Sequence, residues 1–284
     1  MKTFSDLIVL VFVVSSVSSV GLSLSWQQIA EPLRHIRPIV LSLLVNFVVV
    51  PTTAVVIARS MLLSEPQAVG LILVGSAAGA PFFPKLIEVA KGDVALSVGL
   101  MMVLMVGSLI YLPLTLPFLL PGVSVNSWGI ARSLLITMIL PLALGLVVKH
   151  SAPRCAHRLR SPLNALSGLS LVIALILVCV TELKGLRQLM ASPAIPACVA
   201  LLVLSFGGGY VLGGRTERSR QVIGLGSAAR NIPAALLIGG QNFADPQVVL
   251  MIVLSALISV ALLVPATLYL ARRSRHRVEA IPQV

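Results

Sequence analysis

The chain has 284 residues, of which 57% are hydrophobic and 11% are charged, whereas soluble domains carry about 25% charged residues. This composition excludes a soluble globular protein and indicates an integral membrane protein. The net charge of +12 would suit a nucleic-acid-binding protein. However, the basic residues lie in short loops between apolar runs, as in the cytoplasmic loops of a polytopic membrane protein. We therefore expect the lipid bilayer as a partner, and no nucleic acid.

The apolar runs predict an all-α fold with nine transmembrane helices, because each span needs about 20 apolar residues. The predicted spans are 5–24, 38–58, 67–90, 94–120, 130–150, 163–183, 196–213, 221–243 and 247–271. The first run resembles a secretory signal peptide, but Asp6 and the apolar residues up to Leu24 favour a retained span. The loops are short, so we predict a single transmembrane domain over 1–284 with a short basic cytoplasmic tail at 272–284.

The distribution of Lys and Arg predicts the orientation of these spans. Fifteen of them fall on one side: Arg34, Arg37, Lys85, Lys91, Lys149, Arg154, Arg158, Arg160, Arg215, Arg218, Arg220, Arg272, Arg273, Arg275 and Arg277. The other side has Lys2, Arg59, Lys184 and Arg187, and Arg132 lies just inside its span. The positive-inside rule then places the C-terminus in the cytoplasm and the N-terminus outside. The expected location is a plasma membrane of the bacterial inner-membrane type.

Two of the spans, 67–90 and 221–243, are interrupted by glycine and proline. The tetrapeptide G-S-A-A occurs in both, at 75–78 and at 226–229. Such interrupted segments in corresponding halves point to the binding site of a secondary transporter. The third and eighth of nine spans cross in opposite directions, which fits a ten-helix inverted repeat that lacks its first helix. The residues predicted at the breaks are Gly75, Gly79, Pro81, Pro84, Gly226 and Pro233.

Arg230 lies near the middle of the second interrupted span, where a charge costs about 2.5–3.5 kcal/mol and marks a functional site by default. Its guanidinium could offer two hydrogen bonds to a carboxylate or sulfonate, with Asn231 adding a neutral one. Alternatively, Arg230 binds only backbone carbonyls at the break and braces it. Both interpretations stay open. No acidic residue lies in mid-membrane, so an organic anion is the expected ligand.

Further substrate-side candidates lie after the first break. They are Pro81, Phe82, Phe83 and Lys85. The two phenylalanines could instead fill the core, and Lys85 could form a local pair with Glu88 three residues later. The helix starts near 83–85 and 232–234 are expected to add partial positive charge and free N–H groups.

Several motifs resemble the bile acid:sodium symporter family over essentially the whole chain. They are G-L-S-L at 21–24, N-F-V-V-V-P at 46–51, V-G-L-I-L-V-G-S-A-A-G-A-P at 69–81, A-K-G-D-V-A-L-S-V at 90–98 and R-N-I-P-A-A-L-L-I-G-G-Q-N-F at 230–243. The resemblance implies a panel domain and a core domain, with two broken helices crossing at the binding site. Members of this size often lack the first of ten helices.

The chain departs from this family at the sodium sites that the resemblance implies. Gly226 stands at the glutamate position and Arg230 at the glutamine position, while Phe83 and Pro84 replace a Ser-Asn pair. Met101 replaces a threonine, and Asn46 stands for a glutamine. The ion-site positions to examine are Asn46, Ser97, Gly226, Ser227 and Ala229. These departures argue against sodium coupling of the usual kind.

We therefore expect a monomeric secondary transporter that moves a small organic anion by alternating access, with Arg230 in place of a bound sodium ion. The alternative is a sodium-coupled symporter of bile-acid-like or carboxylate anions. A channel or membrane sensor stays open. An enzyme is not expected, because no Ser/His, paired-Asp or H-E-x-x-H constellation lies within the membrane. Residues 75–90 lack the cysteine on which arsenite-efflux relatives depend. Neither a metal nor a cofactor is expected, apart from Na⁺ in the alternative.

Overall fold

The computed structural model describes residues 2–25, 27, 36–120 and 126–279, and these form helices without any strand. The helices are α1 Lys2–Ser23, α2 Ile36–Ser60, α3 Glu65–Ser76, α4 Phe83–Val89, α5 Val94–Leu119, α6 Ser127–Ser151, α7 Pro153–Thr181, α8 Leu183–Met190, α9 Ala194–Leu212, α10 Glu217–Ala228, α11 Ile232–Asn242 and α12 Pro246–Glu279. Two of them contain a π-helical turn, at Val45–Val49 in α2 and at Leu135–Ile139 in α6.

Six helical segments within the described ranges are long and apolar enough to cross a membrane. They are α2, α5, α6, α9, the α10–α11 segment Glu217–Asn242, and Pro246–Arg272 of α12. A shorter apolar stretch, Leu7–Ser23, belongs to α1. The chain is thus a helical multi-pass membrane protein, as predicted. The count of nine spans stays a prediction, since the break leaves α3 and α4 each shorter than a span.

Some boundaries differ from those predicted. Helix α7 begins at Pro153 rather than near 163, because the helix continues through a basic stretch that hydropathy alone excludes. The short helix α8 was not predicted. Helix α12 runs on to Glu279 and so takes in most of the predicted tail, whose last residues, 280–284, lie outside the described part of the chain.

The first interruption separates α3 from α4 and depends on Gly79. This residue has φ +80°, a conformation that glycine adopts without steric cost. A Cβ at this position would lie 2.3 Å from the backbone nitrogen of Met105. The connection therefore passes close against α5, where Ser108 accepts a hydrogen bond from the Ala78 N–H at 2.9 Å and donates one to the Ala78 carbonyl at 3.0 Å. These bonds satisfy backbone groups that the break exposes.

The second interruption, residues 229–231, contacts the first directly. The Asn231 N–H donates to the Ala77 carbonyl at 2.9 Å, so the two breaks are joined by a backbone hydrogen bond. Close to this crossing, the ring of Phe83 packs on Gly226, where a Cβ would lie 2.7 Å from the ring. Gly226 itself lies in the last turn of α10, and its lack of a side chain is what lets the two segments approach.

The helices form two groups with a small interface between them. Helix α1 packs along α6 and α7, and we call these three the panel group. The core group consists of α2–α5 and α9–α12, in which α3 packs on α2 and α12, and α10 on α9. The groups meet where α11 contacts α1 and α6, and where α6 contacts α5. This arrangement places both breaks in the core group, facing the panel group.

Candidate functional site

The guanidinium of Arg230 lies in a closed shell of protein oxygen atoms. Its Nε donates to the Val74 carbonyl at 3.1 Å, and Nη2 donates to the Gly75 carbonyl. Nη1 donates to Asn46 Oδ1 at 2.7 Å and to the Ser227 carbonyl at 3.1 Å. The residue is 3% exposed. We call the four acceptors, from α2, α3 and α10, the oxygen cage.

Three members of the oxygen cage are carbonyls at helix C-termini, where the last four C=O groups have no partner within the helix. Val74 and Gly75 precede the end of α3, and Ser227 precedes the end of α10. Each helix also presents about half a negative charge at this end. Arg230 therefore pairs with three carbonyls at the two interruptions, and it places a positive charge where two helix dipoles favour one.

The fourth member, Asn46, is held in orientation by its own amide group. It lies in the π-helical turn of α2, and its Nδ2 donates to the Ser42 carbonyl at 2.9 Å and to Ser227 Oγ at 3.1 Å. With Nδ2 engaged, Oδ1 faces Arg230. The amide thus connects α2 to α10, and this orientation does not depend on the arginine alone.

The starts of the second half-helices do not offer the free N–H groups expected from the sequence. At α11, the Ile232 N–H donates to the Arg230 carbonyl at 2.9 Å, and the Ala234 N–H donates to Asn231 Oδ1 at 3.2 Å. At α4, the Phe83 N–H donates to the Ala80 carbonyl at 3.1 Å. Proline follows at the second position of both helices and has no N–H. The expectation was wrong because turns and a side-chain cap already use these donors.

Two polar side-chain atoms at the crossing do lack a partner within the described residues. They are Asn231 Nδ2 and Ser76 Oγ, and both residues are fully buried. Asn231 uses its oxygen to cap α11, which leaves the amide N–H₂ free. A buried unpaired polar group is costly, so a water molecule or ligand that bonded either atom would remove that cost.

A cavity of about 440 Å³ lies between the two helix groups. Both breaks contribute to one wall, through Pro81 and Phe82 and through Ile232 and Pro233. The panel group contributes the opposite wall, and α12 closes a further side. The polar residues of the lining are Ser16, Ser19, Asn164, Ser167 and Ser259, and none of the lining residues is charged.

The structure divides the substrate-side candidates into two sets. Pro81 and the 39% exposed Phe82 line the cavity, whereas Phe83 is buried against Gly226. Lys85 lies outside the cavity lining, with its side chain 71% exposed and its Nζ 2.9 Å from Glu88 Oε2. Arg230 and Asn231 do not line the cavity either, although the next two residues of the chain do.

The ion-site positions also separate. Asn46 and the Ser227 carbonyl belong to the oxygen cage. Ser97 is buried, but its hydroxyl donates to the Val94 carbonyl of its own helix at 2.7 Å. Ala229 is buried in the second break. Of the positions predicted at the breaks, Gly79 and Pro81 lie in the first connection. Gly75 and Gly226 lie in the last turns before the breaks, and Pro84 and Pro233 lie in the first turns after them.

Sequence reasoning missed the cage carbonyls, Ser108 and the panel-side cavity residues. Carbonyl groups occur at every residue and therefore leave no sequence signal. Ser16 and Asn164 were readable in principle as polar residues in apolar helices, but isolated polar residues are common enough that nothing distinguished them.

Comparison with known proteins places these features in a family. Residues 7–191 match the Sodium Bile acid symporter family. Among curated relatives, the chain is 26% identical over 235 residues to "Probable sodium/metabolite cotransporter BASS2, chloroplastic" of Oryza sativa subsp. japonica, covering 81% of this chain. It is 28% identical over 131 residues, 46% of this chain, to "Probable sodium/metabolite cotransporter BASS3, chloroplastic" of the same organism. The matched segments cover 56% and 31% of these relatives. The chain belongs to the Sodium Bile acid symporter family.

Proposed function

We propose that the protein is a secondary transporter that moves a small organic anion across the membrane by alternating access, without a sodium ion at the Arg230 position. The observation that carries the proposal is the cavity of about 440 Å³ between the panel group and the two breaks of the core group. Small-molecule sites enclose roughly 300–1,000 Å³ and combine apolar walls with a few polar groups. Membership of a symporter family supports transport as the use of this cavity.

The cavity walls favour an amphipathic organic molecule. Phe82, Ile232 and Val260 offer apolar surface, and the serine hydroxyls and Asn164 offer hydrogen bonds. The charge balance favours an anion. None of the lining residues is acidic, and the acidic side chains described in the structure all lie outside the buried core. The dipole of α11, which begins at the cavity wall, adds partial positive charge there.

The two-group architecture supports alternating access rather than a fixed pore. Helix α11 runs from the cavity wall at Ile232 to Asn242 and is buried over most of its length. At its far end, Ser133 of the panel group donates to Gln241 Oε1 at 2.5 Å. The cavity and this polar contact thus lie at opposite ends of α11, and movement of the panel group against α11 would open one end as it closes the other.

We also propose the number of spans and the orientation of the two termini. Nine spans with the N-terminus outside and the C-terminus in the cytoplasm agree with the fifteen Lys and Arg residues on one predicted side. We propose a bacterial-type plasma membrane location and a monomer as the transporting unit.

A sodium-coupled symporter is the second candidate, because the relatives named above are called sodium/metabolite cotransporters. Against it, the guanidinium of Arg230 already occupies the oxygen cage at the crossing. The two candidates differ in one measurable property, the dependence of transport on a sodium gradient.

The test uses the purified protein in proteoliposomes. Labelled benzoate, benzenesulfonate or taurocholate is added outside, each with and without a sodium gradient. We expect saturable uptake of at least one labelled anion, counterflow when the same anion is inside, and no sodium dependence. Counterflow is a property of carriers, so saturable flux without it would point to a channel. Flux that requires sodium would favour the cotransporter alternative.

A matched pair of variants tests the cavity. Gly168 lines it, and a Cβ added there meets no atom within 4 Å, so Gly168→Phe adds a ring at the cavity wall with no clash at its Cβ. Gly207 on α9 also has open space around an added Cβ and does not line the cavity. We expect Gly168→Phe to abolish uptake and Gly207→Phe to leave it unchanged. Full transport by folded Gly168→Phe would show that the substrate binds elsewhere.

A further inference from the structure

We infer that the oxygen cage is a monovalent-cation site whose cation is supplied by the chain itself, as the guanidinium of Arg230. Removal of that side chain should convert the crossing into a site that binds Na⁺. The inference deepens the proposed function, because it concerns what couples to transport, and it rests on that proposal only for its consequence in transport. The binding itself is measured without any substrate.

The oxygen cage has the ligand chemistry of a cation site. Its members are the carbonyls of Val74, Gly75 and Ser227 and Oδ1 of Asn46. Hard cations in proteins are bound by oxygen atoms of this kind. The atoms come from three helices, of which α10 is far from α2 and α3 in sequence, and they surround one charged group. Four oxygen atoms directed at one positive charge resemble the ligand set of a cation site more than an incidental side-chain contact.

The oxygen cage favours a single positive charge. All four acceptors are neutral, and the described acidic side chains lie outside the buried core. Divalent cations in proteins favour carboxylate ligands, which this cage lacks. The C-terminal ends of α3 and α10 supply partial negative charge of about one elementary charge in total. A single positive charge matches that field, whether it is carried by a guanidinium or by an alkali ion.

The oxygen cage is preorganised by hydrogen bonds that do not involve Arg230. Asn46 Nδ2 is engaged by the Ser42 carbonyl and by Ser227 Oγ, so Oδ1 keeps its orientation when Arg230 is shortened. The breaks are also joined by the bond from the Asn231 N–H to the Ala77 carbonyl. The oxygens would therefore stay close together around an emptied site, and a cation could regain the bonds that the guanidinium made.

The consequence for transport follows from the covalent link. A bound ion leaves and returns during a transport cycle, whereas Arg230 is permanently present. The crossing then always has the structure of an ion-occupied site, and transport by the wild-type protein needs no sodium gradient. In this view the arginine replaces the coupling ion, and it is a positioning residue rather than a substrate contact.

The experiment measures the midpoint of thermal unfolding of the purified protein in detergent, in sodium chloride, potassium chloride and choline chloride at equal ionic strength. A ligand at 100 times its Kd stabilises the folded state enough to raise Tm by about 5 °C in a protein of this size. We expect no salt-specific difference for the wild type. Arg230→Ala should melt lower in choline chloride and regain at least half of the loss as sodium is added, with saturation.

Two further variants make the result specific. Arg230→Lys keeps a tethered cation and should be insensitive to sodium. Arg230→Ala combined with Asn46→Leu removes one cage oxygen and should lose the sodium response. Arg230→Gln is a second test of the vacated site, with a smaller change of volume. Recovery of folded Arg230→Ala or Arg230→Gln only in sodium chloride also counts for the inference.

The opposite results overturn it. A sodium-specific rise of the wild-type Tm would mean that an ion binds while Arg230 is in place. Arg230→Ala and Arg230→Gln that melt equally in all three salts, or fold in none, would mean that the vacated cage holds no cation. None of these outcomes depends on flux, so failure of the cation site is distinguishable from failure of the proposed transport, which the counterflow assay measures.

Discussion

The two breaks share the tetrapeptide G-S-A-A, yet their backbones are stabilised in different ways. The first is turned by Gly79 and satisfied by a neutral hydroxyl, that of Ser108. The second is built around a charged side chain, Arg230, whose hydrogen bonds extend to the carbonyls of the first. Similar local sequence therefore produces similar interruptions of the helix, while the side chains that follow determine whether a break is neutral or charged.

The largest effect is expected from removing the charge of the second break in a salt without small cations. Arg230→Leu in choline chloride leaves four buried acceptors unpaired, and each such acceptor costs about 1–3 kcal/mol before relaxation. We expect a net loss of about 4 kcal/mol, measured as the fall in the unfolding midpoint. Lys85→Leu, which removes the exposed cation after the first break, is the matched control and should change stability by about 0.5 kcal/mol or less. Equal effects would contradict the contrast between the breaks.

The next effect tests the backbone of the first break. Gly79→Ala introduces a Cβ at φ +80°, 2.3 Å from the backbone nitrogen of Met105, and that backbone cannot move without shifting α5. We expect a loss of about 3 kcal/mol in thermal or denaturant unfolding. Gly168→Ala, in open space within α7, is the control and should be neutral or stabilising by up to about 1 kcal/mol.

A smaller effect is expected from the hydroxyl that supports the first break. Ser108→Ala leaves the Ala78 N–H and carbonyl buried without their partner, so we expect a loss of about 2 kcal/mol. Ser97→Ala removes only a hydroxyl that bonds its own helix and should cost less than about 1 kcal/mol. Unfolding of both variants in the same detergent makes the comparison, and a larger loss for Ser97→Ala would contradict it.

The smallest effect concerns the cap of α11. Asn231→Ala removes the acceptor for the Ala234 N–H, and loss of such a cap costs about 1 kcal/mol. It also removes the unpaired Nδ2, which offsets part of that cost. If Nδ2 binds the transported anion, Asn231→Ala raises the KM for uptake, while Asn242→Ala, at the other end of α11, leaves it unchanged. An unchanged KM for both would make Asn231 purely a cap.

The sequence-based prediction of the site residues depended on the direction in which each side chain near the two breaks points. Pro81 and Phe82 were predicted on the substrate side, and they line the cavity. Lys85 was proposed there as well, with a local pair as the alternative, and it pairs with Glu88. Arg230 was left between substrate contact and bracing, and its described contacts are all bracing ones. Hydropathy cannot distinguish these cases, because it reports depth in the membrane and not direction around a helix.

The helical membrane class, the positions of both breaks and the unusual placement of Arg230 can be predicted from the sequence alone. These properties depend on composition, on glycine and proline, and on the cost of a charge in an apolar segment, all of which are local. The contacts of Arg230, by contrast, depend on the fold. Its partners Val74 and Asn46 are 156 and 184 residues away, and three of its four acceptors are backbone carbonyls, a group that every residue carries and that no sequence pattern can single out.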